Sequence, residues 1–366
     1  MDFRYSTEQD DFCASLRGFL RDHAGGARIR EVAAADGYDS RLWRRLCTEL
    51  ELPALHTPPE YGGVGATLVE TAIAFSELGR TLAPVPFAAT TFAIEAILRL
   101  GDDEQRKSLL PGLLSGEQIG AFAATGYQVT DASTATVRAH RHDGRVVLTG
   151  ECTPVLHGRF ADLFVVPVAV DGAAVSLHVV TADSPGVTVV PLPSFDLTRP
   201  VATLQLAQAP ADALTAGSPD DIQRVVDVAR MLLAAEMLGG AEACLELTVE
   251  YACSRQQFGR AIGSFQAVKH ACAEMLIEID ATRAAVMFAA MSAASDKELH
   301  VAAPLVKAQA ADTYVLCAGT AIQVHGGIAF TWEHNLHLYF RRAKTAEALF
   351  GSSARHRALL ANRAGL

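Results

Sequence analysis

Two short segments near the carboxyl end of the chain carry residue types that could bind a phosphorylated ligand. One is RQQFGRAIGSFQ at 255–266 and the other is QVHGGIAF at 323–330. An arginine at the end of a long helix can donate two parallel hydrogen bonds to a diphosphate, and adjacent glycines let backbone N–H groups approach anionic oxygens. Arg255 and the pair Gly326–Gly327 fit those roles. Taken singly, each also fits a simpler interpretation, a solvated helix-end arginine and a glycine pair that ends a helix.

These segments lie in the last of three regions that differ in sequence pattern. From Ser6 to about Gly120, apolar residues recur at three- and four-residue steps, which predicts helices. Short β-rich runs such as RVVLTG and DLFVVPVAV follow, and long alanine-rich helical patterns begin near Asp220. We therefore predict an α+β chain with an N-terminal helical domain (1–119), a middle antiparallel β domain (120–218) that forms a sandwich or barrel, and a C-terminal four-helix bundle (219–366).

Composition argues against several classes of protein. The 366 residues are 50% hydrophobic and 20% charged, and the net charge of -10 is not gathered into blocks, so a nucleic-acid or anionic-membrane surface is not expected. No stretch approaches the roughly 20 apolar residues of a membrane span, and the start MDFRYSTEQDDF does not resemble a secretory signal. The seven cysteines form no C-x-x-C pair. We predict a cytoplasmic protein with free thiols and no metal site.

The order of helices, β domain and helical bundle, together with four segments, resembles the acyl-CoA dehydrogenases over nearly the whole chain. Besides the two segments above, these are PEYGG at 59–63 and GDDEQRKSLLPGLLSG at 101–116. The resemblance implies an acyl-CoA substrate and an FAD shared across a subunit interface, in an oligomer. It also implies which residues hold the ADP half of a neighbour's FAD: Arg255, Phe258, Gln266, Gln323, Gly326 and Gly327.

The catalytic base of this family is missing at both of its usual positions. The family removes the α-proton of the thioester with a glutamate, commonly placed before a glycine that follows an R-x-A-K stretch. Here Phe350 stands at that position, and Ala229 stands at the alternative position on the first long helix of the bundle. Glu236 lies seven residues further, on nearly the same helical face, and is the candidate for a relocated base. The competing interpretation of Glu236 is an interior carboxylate paired with a basic residue.

The β domain also departs from the family pattern. Where the family has a T-E-P-x-A-G-S-D loop beside the flavin, this chain has TGYQVTD at 125–131. Where a strand normally offers an aromatic residue and then a hydroxyl to the isoalloxazine ring, this chain has Pro154 and Leu156. The elements that a subunit uses for its own flavin are altered, whereas those it lends to a neighbour are intact.

Three hypotheses follow. The first is a non-catalytic subunit that completes the FAD site of a homologous acyl-CoA dehydrogenase subunit in a heteromeric enzyme. The segment HGGIAFTWEHNLHLYFRRAK at 325–344 resembles actinobacterial members that degrade steroid side chains. The second is a self-sufficient dehydrogenase that uses Glu236, and the third is a flavin-free scaffold of the same fold.

Overall fold

The first part of the chain is helical because apolar residues recur at helical spacing and N-cap residues precede several of these segments. The computed structural model describes residues 4–142, 145–170, 174–295 and 297–366. Side chains of Ser6, Thr67 and Asp102 cap three of the first helices in reciprocal capping boxes. The helices are α1 (Thr7–His23), α2 (Gly26–Ala34), α3 (Ser40–Leu50), α4 (Leu68–Arg80), α5 (Phe87–Leu100) and α6 (Asp103–Ser115).

A twisted sheet follows, beginning at Gly120. Its strands are β1 (Gly120–Phe122), β2 (Val137–His142), β3 (Arg145–Leu156), β4 (Leu163–Val170), β5 (Ala174–Thr181), β6 (Val187–Leu192), β7 (Val201–Pro210) and β8 (Asp212–Ala213). The order is β6-β7-β3-β2-β4-β5-β8, with β1 paired to β4. The pairings are antiparallel except β1–β4 and the single β2–β4 bridge, which are parallel.

Long helices return after the sheet. Ser218 caps α7 (Pro219–Ser254) in a fourth capping box, and Pro219 occupies the first turn, where its missing N–H costs nothing. A short hairpin of β9 (Gln256–Gln257) and β10 (Arg260–Ala261) leads to α8 (Gln266–Ala294). The remaining helices are α9 (Leu299–His325), α10 (Leu336–Ala348) and α11 (Ser353–Arg363). The predicted α+β architecture of helices, β domain and helical bundle is confirmed.

Glycines allow α7 to cross α4 closely. A Cβ on Gly79 would lie 2.1 Å from the Glu236 carbonyl oxygen, and one on Gly239 would lie 1.8 Å from the Ser76 carbonyl oxygen. This contact joins the N-terminal helices to the bundle and fixes the depth of Glu236.

All seven cysteines are free, as the sequence predicted, and four of them are buried. In the part of the chain that the structure describes, no helix has the length and apolar character needed to cross a bilayer.

Candidate functional site

The end of the helical bundle brings the predicted ADP-binding residues together. Arg255 follows the last residue of α7, Gln266 begins α8, and Gln323 lies in the last turn of α9; all three side chains are exposed. The ends of α7 and α9 meet through the rings of Tyr251 and His325, whose centroids are 4.2 Å apart. Residues distant in sequence therefore share one surface.

The guanidinium group of Arg255 is exposed to solvent. Its backbone is fixed, because its N–H donates to the Tyr251 carbonyl at 2.8 Å and its carbonyl accepts from the Ile262 N–H at 2.8 Å. Within the described ranges no carboxylate pairs with its side chain. An exposed cation on a fixed backbone, without an internal partner, is suited to an anion supplied from outside.

The hairpin after Arg255 presents an aromatic ring. Phe258 and Gly259 form its turn with φ of 53° and 77°, and a type I′ turn requires positive φ at both positions. Phe258 is 91% exposed. Next to it, the Arg260 guanidinium lies 4.1 Å from the centroid of Phe265.

Gly326 and Gly327 have different reasons to be glycine. Gly326 adopts φ 66° and ψ -141°, a conformation that residues with a Cβ rarely adopt. Gly327 does not have the positive φ that favours glycine, and a Cβ on it would meet nothing within 4 Å. Among the described residues, neither the backbone conformation nor packing requires glycine at position 327.

Exposed apolar side chains lie around this glycine pair. Phe330 is 70% exposed, Trp332 is 55% exposed and Ile328 is 42% exposed. Exposed apolar residues grouped in this way mark surfaces that are covered by another molecule. Arg255 and Gly327, which the family resemblance assigns to a neighbour's ADP, are exposed as well.

The loop that carries Phe350 is held in place by side-chain packing and by a backbone hydrogen bond. Phe350 is fully buried, has φ 56° and packs edge-on against Phe92 with centroids 5.9 Å apart. Its N–H donates to the Thr125 carbonyl at 2.6 Å. A left-handed conformation in a bulky residue is costly, so the surroundings must hold it. The side chain at the usual base position is thus a ring packed in the interior.

Tyr127 covers the same loop from the β domain. A Cβ on Gly351 would lie 2.5 Å from Tyr127 Cδ2, and the Tyr127 hydroxyl donates to the Arg355 carbonyl at 3.1 Å. Arg230 Nη2 donates to the Tyr127 carbonyl at 2.9 Å, and Arg230 Nη1 pairs with Asp227 at 2.8 Å. Both Nη atoms of Arg230, which follows Ala229, are therefore bonded to groups within the chain.

A cavity lies between two segments that the family resemblance assigns to the flavin ring. It has a volume of about 260 Å³ and lies between the loop at 125–128 and the strand residues Cys152, Thr153 and Pro154. The Thr125 hydroxyl donates to the Pro154 carbonyl at 3.0 Å, so this donor is used internally. Pro154 and Leu156 offer a flavin ring neither an aromatic face nor a hydroxyl group.

Glu236 lies in a buried ion cluster. Arg199 Nη2 and Arg342 Nη1 both donate to Glu236 Oε1, and Arg342 also pairs with Asp196 through Nε. The four side chains are between 1% and 8% exposed. This is the paired interior carboxylate that the sequence offered as the competing interpretation. Arg199 and Arg342 therefore both bond to one of the two carboxylate oxygens of Glu236 and hold the side chain in the interior.

The space beside Glu236 is small. The cavity has a volume of about 20 Å³ and is lined by His157, Arg199, Glu236 and Arg342 on its polar side. That volume holds about one water molecule and excludes an acyl chain. Burial, followed by the charge of Arg199, lowers the pKa of His157 to about 3, so the ring is neutral. Although burial opposes ionisation of Asp196, Arg342 and Arg199 outweigh it and lower the pKa of that carboxyl group.

Lys307 is fully buried beneath the Phe350 loop. Its Nζ donates to the carbonyls of Glu347 at 3.2 Å and Gly351 at 3.3 Å. Burial, assisted by the charge of Arg230, lowers the pKa of this amine to about 7. The amine ties the loop to α9.

Sequence reasoning missed several of these residues. Tyr127, Lys307 and the cluster of Asp196, Arg199 and Arg342 were not candidates, because their partners are far apart in sequence and no spacing connects them. Tyr251 and His325 carried a weak signal, since Tyr251 precedes Arg255 by one helical turn and His325 precedes Gly326.

The fold and these segments match a known family. The model described as acyl-CoA dehydrogenase, C-terminal domain, matches residues 220–365, and the one described as acyl-CoA dehydrogenase, N-terminal domain, matches residues 6–117. The chain belongs to the acyl-CoA dehydrogenases, a family of FAD-dependent oxidoreductases that act on CH–CH bonds.

Particular relatives cover nearly the whole chain. Acyl-CoA dehydrogenase IpdE2 of Mycobacterium tuberculosis is 37% identical over 92% of this chain and 91% of its own length. A chain of the ChsE4-ChsE5 complex from Mycobacterium tuberculosis has a TM-score of 0.92 at 29% identity, covering 100% of this chain and 99% of that one. A chain of a variant of the Tcur3481-Tcur3483 steroid ACAD has a TM-score of 0.89 at 31% identity, covering 98% of this chain and 99% of that one.

Proposed function

We propose that this chain is the non-catalytic subunit of a heteromeric acyl-CoA dehydrogenase and that it completes the ADP-binding half of a catalytic partner's FAD site. The observation that carries the proposal is the contrast between two sites on one chain. The Arg255 side chain has no internal partner among the described residues and a Cβ on Gly327 would meet nothing within 4 Å, whereas Phe350 and the Glu236 cluster are buried.

The buried residues support the proposal that this chain does not abstract the α-proton by itself. Abstraction of an α-proton needs a carboxylate within hydrogen-bond reach of the substrate carbon. Phe350 and Ala229 have no proton acceptor, and Glu236 is bound by two guanidinium groups beside a cavity of about 20 Å³. A base with no access to a thioester cannot start the reaction.

The surface supports a contribution to a neighbour. Arg255 would bind the diphosphate, the Gly326–Gly327 backbone would approach it, and Phe258, Gln266 and Gln323 would line the nucleotide. When bound, FAD supplies the acceptor for the hydride that leaves the substrate β-carbon. This chain's residues would orient that cofactor and exclude water from its ADP half.

The relatives support a heteromeric assembly and a class of substrate. Two of the similar structures are complexes of two differently named chains, and one of these is described as a steroid ACAD. We propose that the acyl-CoA substrate of the assembly carries a steroid-derived acyl group. The steroid would lie in the catalytic partner, because the cavity beside Glu236 leaves no room for it.

The direct test is co-expression with a homologue that has glutamate at either base position. The variant Arg255→Ala should lower the affinity of the purified complex for FAD by about 10-fold to 100-fold, the value of a charge-assisted hydrogen-bonding group. Arg44→Ala, which removes an exposed arginine from α3, is the matched control. Size-exclusion chromatography shows whether the complex still assembles.

Unchanged affinity in Arg255→Ala would contradict the proposed role. Absence of FAD from every assembly of the wild-type chain would instead favour the flavin-free scaffold.

A further inference from the structure

Two aromatic side chains join the separate parts of the ADP-binding surface. Tyr251 lies in the last turn of α7 and His325 is the last residue of α9. Their rings stack with centroids 4.2 Å apart and an interplanar angle of 19°. Neither residue was among the candidate ligand-binding residues.

Each ring is rigidly connected to one part of the surface. The Tyr251 carbonyl accepts the N–H of Arg255 at 2.8 Å, so Tyr251 lies one helical turn beneath the arginine. His325 Nδ1 contacts the Ala321 carbonyl at 2.8 Å and therefore carries the proton, which fixes both the tautomer and the ring plane. His325 directly precedes Gly326, so the ring plane and the glycine backbone move together.

A second histidine also contacts the His325 ring. His334 lies 4.8 Å from His325, and its Nδ1 accepts the N–H of Leu336 at the start of α10 at 3.2 Å. The adjacent Asn335 accepts a hydrogen bond from Arg30 Nη1 at 2.6 Å. Contacts therefore run from α2 and α10 to the end of α7.

The helices do not need this stack in order to pack. α7 and α9 contact each other along most of their length, and a Cβ on Gly240 would lie 2.4 Å from Tyr314 Cζ. The stack lies beyond that contact, at the ends of the two helices, where His325 is buried and Tyr251 is half-buried. Its specific effect is on the relative position of the two helix ends.

We infer that Tyr251 and His325 act as a clamp that holds Arg255 and the Gly326–Gly327 backbone at a fixed separation, and that both are positioning residues for the diphosphate of the FAD. This inference rests on the proposed function. Two groups that bind one diphosphate must be spaced to match it, and a preorganised spacing avoids an ordering cost on binding.

The test compares FAD dissociation constants of the complex with the catalytic partner, after removal and titration of flavin. Tyr251→Ala should weaken FAD binding about three-fold to ten-fold, the value of an aromatic pair. Tyr251→Phe keeps the ring and should stay within about two-fold of wild type. Tyr38→Ala removes a different ring contact, with Phe160 at 4.7 Å, and is the matched control.

A double-mutant cycle separates positioning from general packing. If Tyr251 acts through Arg255, adding Tyr251→Ala to Arg255→Ala should produce little further loss of affinity. Additive losses would overturn the clamp. Should Tyr251→Ala fail to fold, His325→Leu keeps the volume, removes the stack and carries the same test.

The outcomes distinguish this inference from the proposed function. If Arg255→Ala leaves FAD affinity unchanged, the proposed function is wrong. If Arg255→Ala weakens binding and Tyr251→Ala does not, the clamp alone is wrong.

Discussion

At the scale of single residues, the central feature is the buried carboxylate of Glu236, which is bonded to two arginines. Glu236 lies in the interior of α7, where Arg199 and Arg342 approach the same oxygen. Removing one member of a buried ion pair leaves uncompensated charge, which is more costly than removing an exposed pair. Glu236 is therefore expected to matter for stability and not for proton abstraction.

The variant Glu236→Gln tests this expectation. We expect a loss of about 3 kcal/mol in the free energy of unfolding, because two buried guanidinium groups lose their shared anion. Chemical denaturation measures the loss, with the exposed Glu117→Gln as control. Reduction of flavin by substrate, per assembled complex, should be retained. A stable variant that no longer reduces flavin would support Glu236 as a base instead.

A pH dependence follows from Lys307. Its pKa is about 7 in the folded chain against an ordinary 10.5, since burial disfavours the ammonium form. Between those values the unfolded chain binds more protons, so this residue's contribution to stability rises as pH rises. Below pH 7 both states are protonated and the contribution no longer changes.

The variant Lys307→Met removes this ionisation. Relative to wild type, its free energy of unfolding should fall by about 1.4 kcal/mol per pH unit as pH rises from 7 towards 10. Parallel stability curves for the two proteins would contradict the burial of a titrating amine. Lys297→Met, at an exposed position, should give such parallel curves.

At the scale of elements, Gly326 and Gly327 directly follow the end of α9. Gly326 requires glycine for its backbone, but Gly327 does not. A substitution at Gly327 can therefore test ligand binding without the backbone strain that a substitution at Gly326 would cause.

The variant Gly327→Ala uses that difference. A Cβ at this position meets nothing within 4 Å, so the midpoint of thermal unfolding of the isolated chain should be unchanged. FAD retention in the complex should fall, because the methyl group would hold the diphosphate away from the backbone amides. Equal flavin content in variant and wild-type complexes would show that the loop does not contact the cofactor.

Elements were easier to predict from the sequence than their contacts. The helical pattern predicted a helix from near Asp220, and α7 begins at Pro219, where Ser218 and Asp221 form a capping box. The Glu236 cluster could not be predicted, because Arg199 and Arg342 are 37 and 106 residues away in sequence. Tyr127 was similarly hidden, since only folding places its ring over Gly351.

At the scale of the whole molecule, Phe350 and Glu236 are buried in the interior, whereas Arg255 and Phe258 are exposed at one end of the bundle. The family resemblance assigned two segments to ADP binding, which stays a prediction, and sequence alone could not tell whether Phe350 was buried. The structure shows this ring packed on Phe92 with its backbone bonded to Thr125. Under the proposed function, such a chain would need a partner that carries both the flavin ring site and the base.

The most direct measurement compares the chain alone with the co-expressed complex. For each, flavin is quantified per protein and flavin bleaching is followed on addition of an acyl-CoA. We predict that the isolated chain lacks stoichiometric FAD and shows no bleaching, while the complex is yellow and is bleached by substrate. An isolated chain that binds one FAD and is reduced by an acyl-CoA would contradict the account.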